Sequence, residues 1–190
     1  MRALVRGRLT QYAAVAEQIA ADDLAGQVAL VAEELVRTFR DGGRLLFMGN
    51  GGSAAEAAHA AAEFVGRCTK DRSPLAALAL TDPAVLTALA NDYGYDEVFA
   101  RQVQAYATVG DVVVAMSTSG RSANILRGLA QARAMGLRTV ALTGGDAGLL
   151  AEAADHVLVV PSTHTGRIQE VHGLWCHVWA EAVESALFGP

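Results

Sequence analysis

The first 41 residues carry two sets of apolar positions, each repeating at the spacing of an α-helix. The sets are Val5, Leu9, Tyr12, Ala16, Ile19 and Leu24, Val28, Val31, Leu35, Phe39. Side chains three or four positions apart share one helix face. Asp22 or Asp23 stands where the second helix needs an N-terminal cap. The pattern predicts a helical hairpin over residues 1–41.

Five short apolar runs follow the hairpin, at 44–48, 75–80, 111–116, 138–142 and 156–160. Each run leads into a turn or a helical segment, such as 122–135 and 147–154, and residues 166–188 read as one long final helix. Strands that alternate with helices in this way form a parallel sheet covered by helices on both faces. We therefore predict an α/β fold in three layers around a five-stranded parallel sheet.

Length, composition and charge narrow the class of protein. A chain of 190 residues with 52% hydrophobic residues predicts a single domain over 1–190, with the hairpin at 1–41 and the α/β core at 42–190. The net charge of −5 argues against nucleic acid or an anionic membrane surface as a partner. No apolar run approaches membrane-spanning length. Cys68 and Cys176 lack metal-type spacing, and reduced thiols in the cytoplasm are expected.

Two loops at predicted strand ends are suited to a phosphorylated small molecule. Gly49-Asn50-Gly51-Gly52-Ser53 lies between an apolar run and an alanine-rich helix, and Ser117-Thr118-Ser119-Gly120-Arg121-Ser122 follows a second run. Unpaired amides at a helix N-terminus favour an anion, and glycines allow close approach to the backbone. Ligands of open parallel sheets bind beyond the carboxyl ends of the strands. Either loop taken alone could equally be an ordinary turn.

Candidate acid and base groups lie on two predicted helices. His59 and Glu63 are four residues apart on one helix face. The final helix carries Arg167, Gln169, Glu170, His172 and His177. Structural alternatives remain open. They are His59 as a surface or packed residue, His172 bonded to backbone, His156 as a structural or exposed residue, and Trp175 and Trp179 packed in the core or at a subunit interface.

Taken together, these motifs resemble the sugar isomerase (SIS) domain and, within that group, the phosphoheptose isomerases. The likeness spans the whole chain, including the hairpin and the segment Asn91-Asp92-Tyr93-Gly94. It implies an aldose-ketose isomerase of heptose biosynthesis that converts sedoheptulose 7-phosphate to D-glycero-D-manno-heptose 7-phosphate. Such a reaction moves protons between C1 and C2 and between their oxygens through an enediol, which requires two acid/base groups. The resemblance assigns Glu63 and His177 to these tasks, in either order.

The resemblance also implies the remaining ligands and the assembly. Substrate and phosphate contacts fall on Asn50, Gly51, Gly52, Ser53, Arg67, Asp92, Ser117, Thr118, Ser119, Ser122 and Gln169. Zinc is implied at His59, Glu63, Gln169 and His177, which would make Glu63 and His177 ligands as well as, or instead of, proton carriers. Gln169 and His177 are separated by roughly 12 Å along a helix, so both reach one ion only by leaning together. A homotetramer with shared active sites is also implied.

Three positions depart from the family pattern, and two other functions stay open. Arg121 stands where Asn is usual, and His164 and Gly166 stand where Asp occurs. Arg121 could bind phosphate or face solvent. Arg67 could bind substrate or steady a loop, and Asp92 could cap a turn. The alternatives are a non-catalytic SIS protein that binds a replication initiator or senses a phosphosugar, and an isomerase of another ketose phosphate.

Overall fold

The computed structural model describes residues 1–189, apart from the side chain of Asp22. Its α-helices are α1 (Arg2–Ile19), α2 (Asp22–Arg40), α3 (Gly52–Val65), α4 (Pro83–Tyr93), α5 (Val98–Tyr106), α6 (Ala123–Ala134) and α7 (Thr165–Phe188). Its strands are β1 (Leu45–Gly49), β2 (Ala77–Ala79), β3 (Val112–Met116), β4 (Arg138–Gly144) and β5 (His156–Val160). Two 3-10 turns cover Tyr95–Glu97 and Gly148–Glu152. The predicted hairpin, the five strands and the long final helix are confirmed.

All strand pairs are parallel, and the strand order is β2-β1-β3-β4-β5. The chain moves from β1 to one side for β2 and then crosses to the other side for β3. This order places a topological switch point between β1 and β3, where parallel α/β sheets bind their ligands. The carboxyl ends of these two strands meet because Gly49 pairs with Met116.

Helices cover both faces of the sheet, as the three-layer prediction requires. Alternate side chains of each strand point to opposite faces. Leu45 and Phe47 lie in the core with α2, α3 and α7, whereas Leu46 and Met48 lie in the core with α5 and α6. Because both faces are buried, the central strands are apolar throughout rather than alternating.

The hairpin packs on α7, chiefly through α2. The indole nitrogen of Trp179 donates to the backbone oxygen of Val28 at 3.0 Å, and Trp179 is fully buried. Val15 and Ile19 of α1 are buried, but Val5 and Leu9, which the helical pattern grouped with Ile19, are 50% and 66% exposed. The apolar face of α1 is therefore only partly covered within residues 1–189.

The predicted N-terminal cap of α2 was wrong, and the helices α4 and α5 were not predicted. Helix α2 begins at Asp22 with Ala21 in the capping position, so Asp22 and Asp23 belong to the first turn. Helix α4 starts with Asp82, whose carboxylate accepts from the Val85 amide at 2.9 Å, and with Pro83 in its first turn. Within residues 1–189, no helix combines the length and the apolar character that crossing a bilayer requires.

Candidate active site

Asn50 connects the two predicted ligand loops at the switch point. Its side-chain amide donates to Asn124 Oδ1 at 2.9 Å, and Asn124 donates back to Asn50 Oδ1 at 2.9 Å. The hydroxyl of Tyr95 donates to the same Asn50 oxygen at 2.8 Å. The glycine loop after β1 is thus attached to α6 and to the segment after α4. Asn124 and Tyr95 were not predicted as site residues, because their contacts cross from distant parts of the chain.

The start of α3 lies directly against the final helix. A Cβ atom at Gly52 would stand 2.5 Å from Nε2 of Gln169, so any larger residue at position 52 would displace that amide. Gly51, in the capping position of α3, has a φ of 57°, a conformation that glycine adopts without strain. Ser53 is buried. The structure therefore brings Gly52 of the glycine loop next to Gln169.

The serine loop forms a compact turn at the end of β3. Ser117 is buried, and its hydroxyl lies 3.4 Å from that of Ser122. Thr118 is half-buried and Ser119 is exposed. Gly120 has a φ of 62°, and a Cβ there would meet the Ala147 backbone oxygen at 2.0 Å. Thr118, Ser119 and Ser122 are thus the hydroxyl residues of the loop that are not buried where β3 ends.

Arg121 pairs with an aspartate beside this loop. Its guanidinium lies 2.8 Å from Asp146 Oδ2, and both side chains are more than half exposed. Such an exposed pair is worth at most about 1 kcal/mol. Of the two uses considered for Arg121, exposure to solvent agrees with this exposed pair, and a contact with phosphate stays a prediction.

His59, Glu63 and His177 form a cluster where α3 meets α7. The Nε2 atoms of His59 and His177 are 2.8 Å apart, with their rings nearly perpendicular. His59 Nε2 lies 3.6 Å from Glu63 Oε1. His59 is exposed, whereas Glu63 and His177 are half-buried. Residues 118 positions apart in the chain thus share one partly dry site.

The donor atoms of this cluster fit a divalent metal ion. One ligand atom from each of the three residues lies within 4.8 Å of the others. Two imidazoles and one carboxylate are a common ligand set of catalytic zinc, and bonds of about 2.0–2.1 Å would place the two nitrogens roughly 3.3 Å apart. Gln169 lies two turns before His177 on α7, against Gly52. Its place among the metal ligands stays a prediction.

Arg67 and Asp92 are outside these contacts. Arg67 is exposed just beyond the end of α3, and Asp92 is exposed in the last turn of α4, where it accepts a hydrogen bond from Asn91 at 2.8 Å. Arg167 is directed toward α1, where it donates to the Arg8 backbone oxygen at 2.9 Å. The roles of Arg67 and Asp92 as substrate ligands stay predictions.

Comparison with known proteins matches this arrangement to a family. The SIS domain model matches residues 9–144. The phosphoheptose isomerase of Roseiflexus sp. is 52% identical over 86% of this chain and 84% of that protein, and that of Pelobacter propionicus is 50% identical over 90% and 91%. The structure of phosphoheptose isomerase from Neisseria gonorrhoeae superposes with a TM-score of 0.90 at 38% identity, covering 97% of this chain and 98% of that one. This chain belongs to the phosphoheptose isomerase family.

Glu56 is a further polar residue on α3, and the sequence motifs did not indicate it. It lies one turn before His59 on α3, and its Oε2 atom is buried without a hydrogen-bond partner within residues 1–189. Burial, and secondarily the nearby Glu170 carboxylate, raises the pKa of Glu56 to about 7. This carboxyl group therefore changes charge near neutral pH, and its burial in the folded chain is the main reason.

His172 takes the structural role considered for it. It is fully buried, and its Nε2 atom lies 3.3 Å from the backbone oxygen of Thr143 at the end of β4. The side-chain oxygen of Thr143 would lie 3.0 Å from a Cβ at Gly120, so Thr143 packs against the serine loop. Trp175 and Trp179 are also buried.

Proposed function

We propose that this protein is an aldose-ketose isomerase that converts sedoheptulose 7-phosphate to D-glycero-D-manno-heptose 7-phosphate through an enediol. The observation that carries the proposal is the cluster that Glu63 of α3 and His177 of α7 form with His59. The family of relatives named above supports the same reaction. The enzyme is proposed as a single SIS domain over residues 1–190.

Glu63 and His177 would divide the proton transfers of this reaction. Glu63 removes the proton from C1 of the ketose and delivers it to C2 of the product. His177 moves the second proton from the C1 hydroxyl to the C2 oxygen, so that no proton is gained or lost. A half-buried carboxylate and an imidazole suit these tasks.

Substrate orientation would come from the two loops at the switch point. Ser119 and Ser122, with Thr118, bind the phosphate, because an acidic chain needs a local site for an anion. Asn50 and Gln169 then face the sugar hydroxyls near the start of α3. Binding the remote phosphate holds the reacting carbons beside Glu63.

A zinc ion held by His59, Glu63, Gln169 and His177 is part of the proposal. Bound there, such an ion would supply Lewis-acid polarisation of the substrate carbonyl. His59, the most exposed of the three clustered residues, would bind the ion rather than move protons.

We further propose a homotetramer in the cytoplasm with active sites at the subunit boundaries. Leu4, Val5 and Leu9 of α1 are each at least half exposed, and Leu30 of α2 is 54% exposed. Apolar surface of this extent on one hairpin is typical of a subunit interface. Cys68 and Cys176 are both free thiols, as expected in a reducing compartment.

Two other functions are less well supported. A non-catalytic SIS protein needs the phosphate loops but not a contact between Glu63, His59 and His177. An isomerase of another ketose phosphate would use the same residues and differ in the length of sugar it accepts.

Incubation with sedoheptulose 7-phosphate, followed by NMR detection of an aldoheptose 7-phosphate, tests the function directly. Glu63→Gln and His177→Ala should each lower kcat at least ~10²-fold, a typical acid/base contribution, without unfolding the protein. His156→Gln is the matched histidine control, since His156 begins the edge strand β5 and is not part of the cluster of His59, Glu63 and His177. Wild-type turnover in folded Glu63→Gln or His177→Ala would remove that residue from the proton transfers.

A further inference from the structure

A buried carboxylate on α7, outside the predicted site, organises the segment that follows α3. Glu184 is fully buried. Its oxygens accept from the backbone amides of Cys68, Thr69 and Lys70 at 2.8, 2.9 and 3.1 Å and from the Thr69 hydroxyl at 2.8 Å. The Nε atom of Arg72 donates to it at 3.1 Å. The carboxylate is thus held by five donors.

Arg72 connects this carboxylate to the end of α3. One terminal nitrogen donates to the backbone oxygens of Phe64 at 2.7 Å and Gly66 at 3.1 Å, and the other donates to that of Glu63 at 2.8 Å. The last carbonyls of a helix lack partners within the helix, and a cation there also interacts favourably with the helix dipole. One guanidinium therefore binds the last turn of α3 and a side chain of α7 together.

A buried ion pair costs more desolvation free energy than apolar side chains packed in the same place. The side chains of Arg72 and Glu184 are 1% and 0% exposed, so both charges have lost their water. Replacing such a pair by apolar residues is often neutral or stabilising, whereas a charged pair imposes one geometry on the elements it joins. Burial would raise the pKa of Glu184, but the amide and hydroxyl donors outweigh burial and lower it to about 2. The Glu184 carboxylate therefore stays charged at neutral pH.

We propose that Arg72 and Glu184 are positioning residues that hold α3 and α7 at the separation and rotation at which Glu63 and His177 act together. Glu184 lies seven residues after His177, roughly 10 Å along α7 and on nearly the same helix face. The backbone of Glu63 itself accepts from Arg72. The inference rests on the proposed isomerase function. A displacement of about 1 Å of a reacting group can cost about 100-fold in rate.

The test compares Glu184→Gln and Arg72→Lys with a matched variant whose hydrogen bonds involve neither α3 nor α7. Asp111 is 2% exposed, accepts from the amides of Arg44 and Thr108 at 2.9 and 2.8 Å, and pairs with the Arg44 guanidinium. Asp111 directly precedes β3, and its hydrogen-bond partners lie just before β1 and β3. Asp111→Asn therefore disturbs a similar buried carboxylate without touching α3 or α7.

We expect Glu184→Gln and Arg72→Lys to lower kcat for sedoheptulose 7-phosphate about 10- to 100-fold with KM changed less than about 3-fold. Asp111→Asn should lower the melting temperature but keep kcat. The ring ¹⁵N resonances of His59 and His177 should shift in the first two variants and not in Asp111→Asn. Thr69→Val, which removes one hydroxyl donor to Glu184, should lower kcat a few-fold.

The outcomes distinguish positioning of Glu63 and His177 from stabilisation of the fold. Folded Glu184→Gln or Arg72→Lys with wild-type kcat and unshifted histidine resonances would show that the pair only stabilises the fold. A raised KM with unchanged kcat would overturn positioning as well. If neither buried variant folds, wild-type kcat in Thr69→Val would reject the proposal, and a lowered kcat would support it. An inactive wild type would instead reject the proposed function, while the histidine resonances still test the positioning.

Discussion

The pH dependence of stability should reveal His172 as a histidine that folding keeps neutral. The ring is fully buried, stacks on Trp175 at 6.1 Å between centroids and has no hydrogen-bond partner at Nδ1 within residues 1–189. Burial lowers its pKa from 6.5 to about 4, although the Thr143 carbonyl acts in the opposite direction. His172→Gln removes the titration and keeps a side chain able to donate to that carbonyl.

The size of the effect follows from the two pKa values. Between pH 6.5 and about 4, the unfolded chain binds a proton at His172 that the folded chain does not bind. The stabilisation is therefore complete above pH 6.5 and is lost as the pH falls toward the folded pKa. A shift of one unit is worth about 1.4 kcal/mol, so the difference in unfolding free energy between wild type and His172→Gln should change by about 3 kcal/mol across this window.

The comparison of wild type with His172→Gln also removes the contribution of Glu56, which changes stability with pH in the opposite direction. The raised pKa of Glu56, about 7 against 4.5, stabilises the fold at low pH, and that stabilisation is lost as the pH rises from 4.5 to 7. The contributions of Glu56 and His172 therefore oppose each other, and the unfolding free energy of wild type changes less with pH than either residue alone would cause. Because both proteins contain Glu56, its contribution cancels in the difference between them.

Urea unfolding followed by tryptophan fluorescence from pH 4 to 8 measures this difference. The protein concentration must be constant, since assembly adds to apparent stability. Wild type should lose its advantage over His172→Gln as the solution becomes more acidic. Two stability curves that run parallel from pH 4 to 6.5 would refute the assignment of a neutral, buried imidazole.

Three further predictions concern binding, metal and assembly. Ser119→Ala combined with Ser122→Ala should chiefly weaken binding of sugar phosphates in calorimetry, and wild-type affinity would place the phosphate elsewhere. Protein purified without a histidine tag should contain about one zinc or similar ion per chain by elemental analysis, and less in His59→Ala; full activity without metal, even in the presence of a chelator, would exclude the ion from the mechanism. Light scattering should give a mass near four chains, and mixing Glu63→Gln with His177→Ala subunits should restore activity if each site is shared. An active monomer would contradict the assembly, whereas failed complementation within a tetramer would reject only the shared pairing.

Local sequence determined most of the secondary structure of this protein. Apolar positions at helical spacing predicted α1 and α2, and short apolar runs predicted all five strands, because hydrophobic periodicity and glycine-rich turns act between near neighbours. The same local signals located the glycine loop after β1 and the serine loop after β3. They were weaker for α4 and α5, although the Asp82-Pro83 start of α4 is a recognisable helix signal.

Only the tertiary structure decided which distant groups meet. His59 and His177 are 118 positions apart, Asn50 and Asn124 are 74 apart, and the loop amide of Cys68 and the carboxylate of Glu184 are 116 apart. No periodicity relates such residues, since their contact depends on how α3, α6 and α7 pack on the sheet. Burial likewise exists only after folding, and it is burial that shifts the pKa values of Glu56 and His172. The sequence thus determined the helices and loops that carry the chemistry, whereas their packing decided the distances and the environment in which that chemistry takes place.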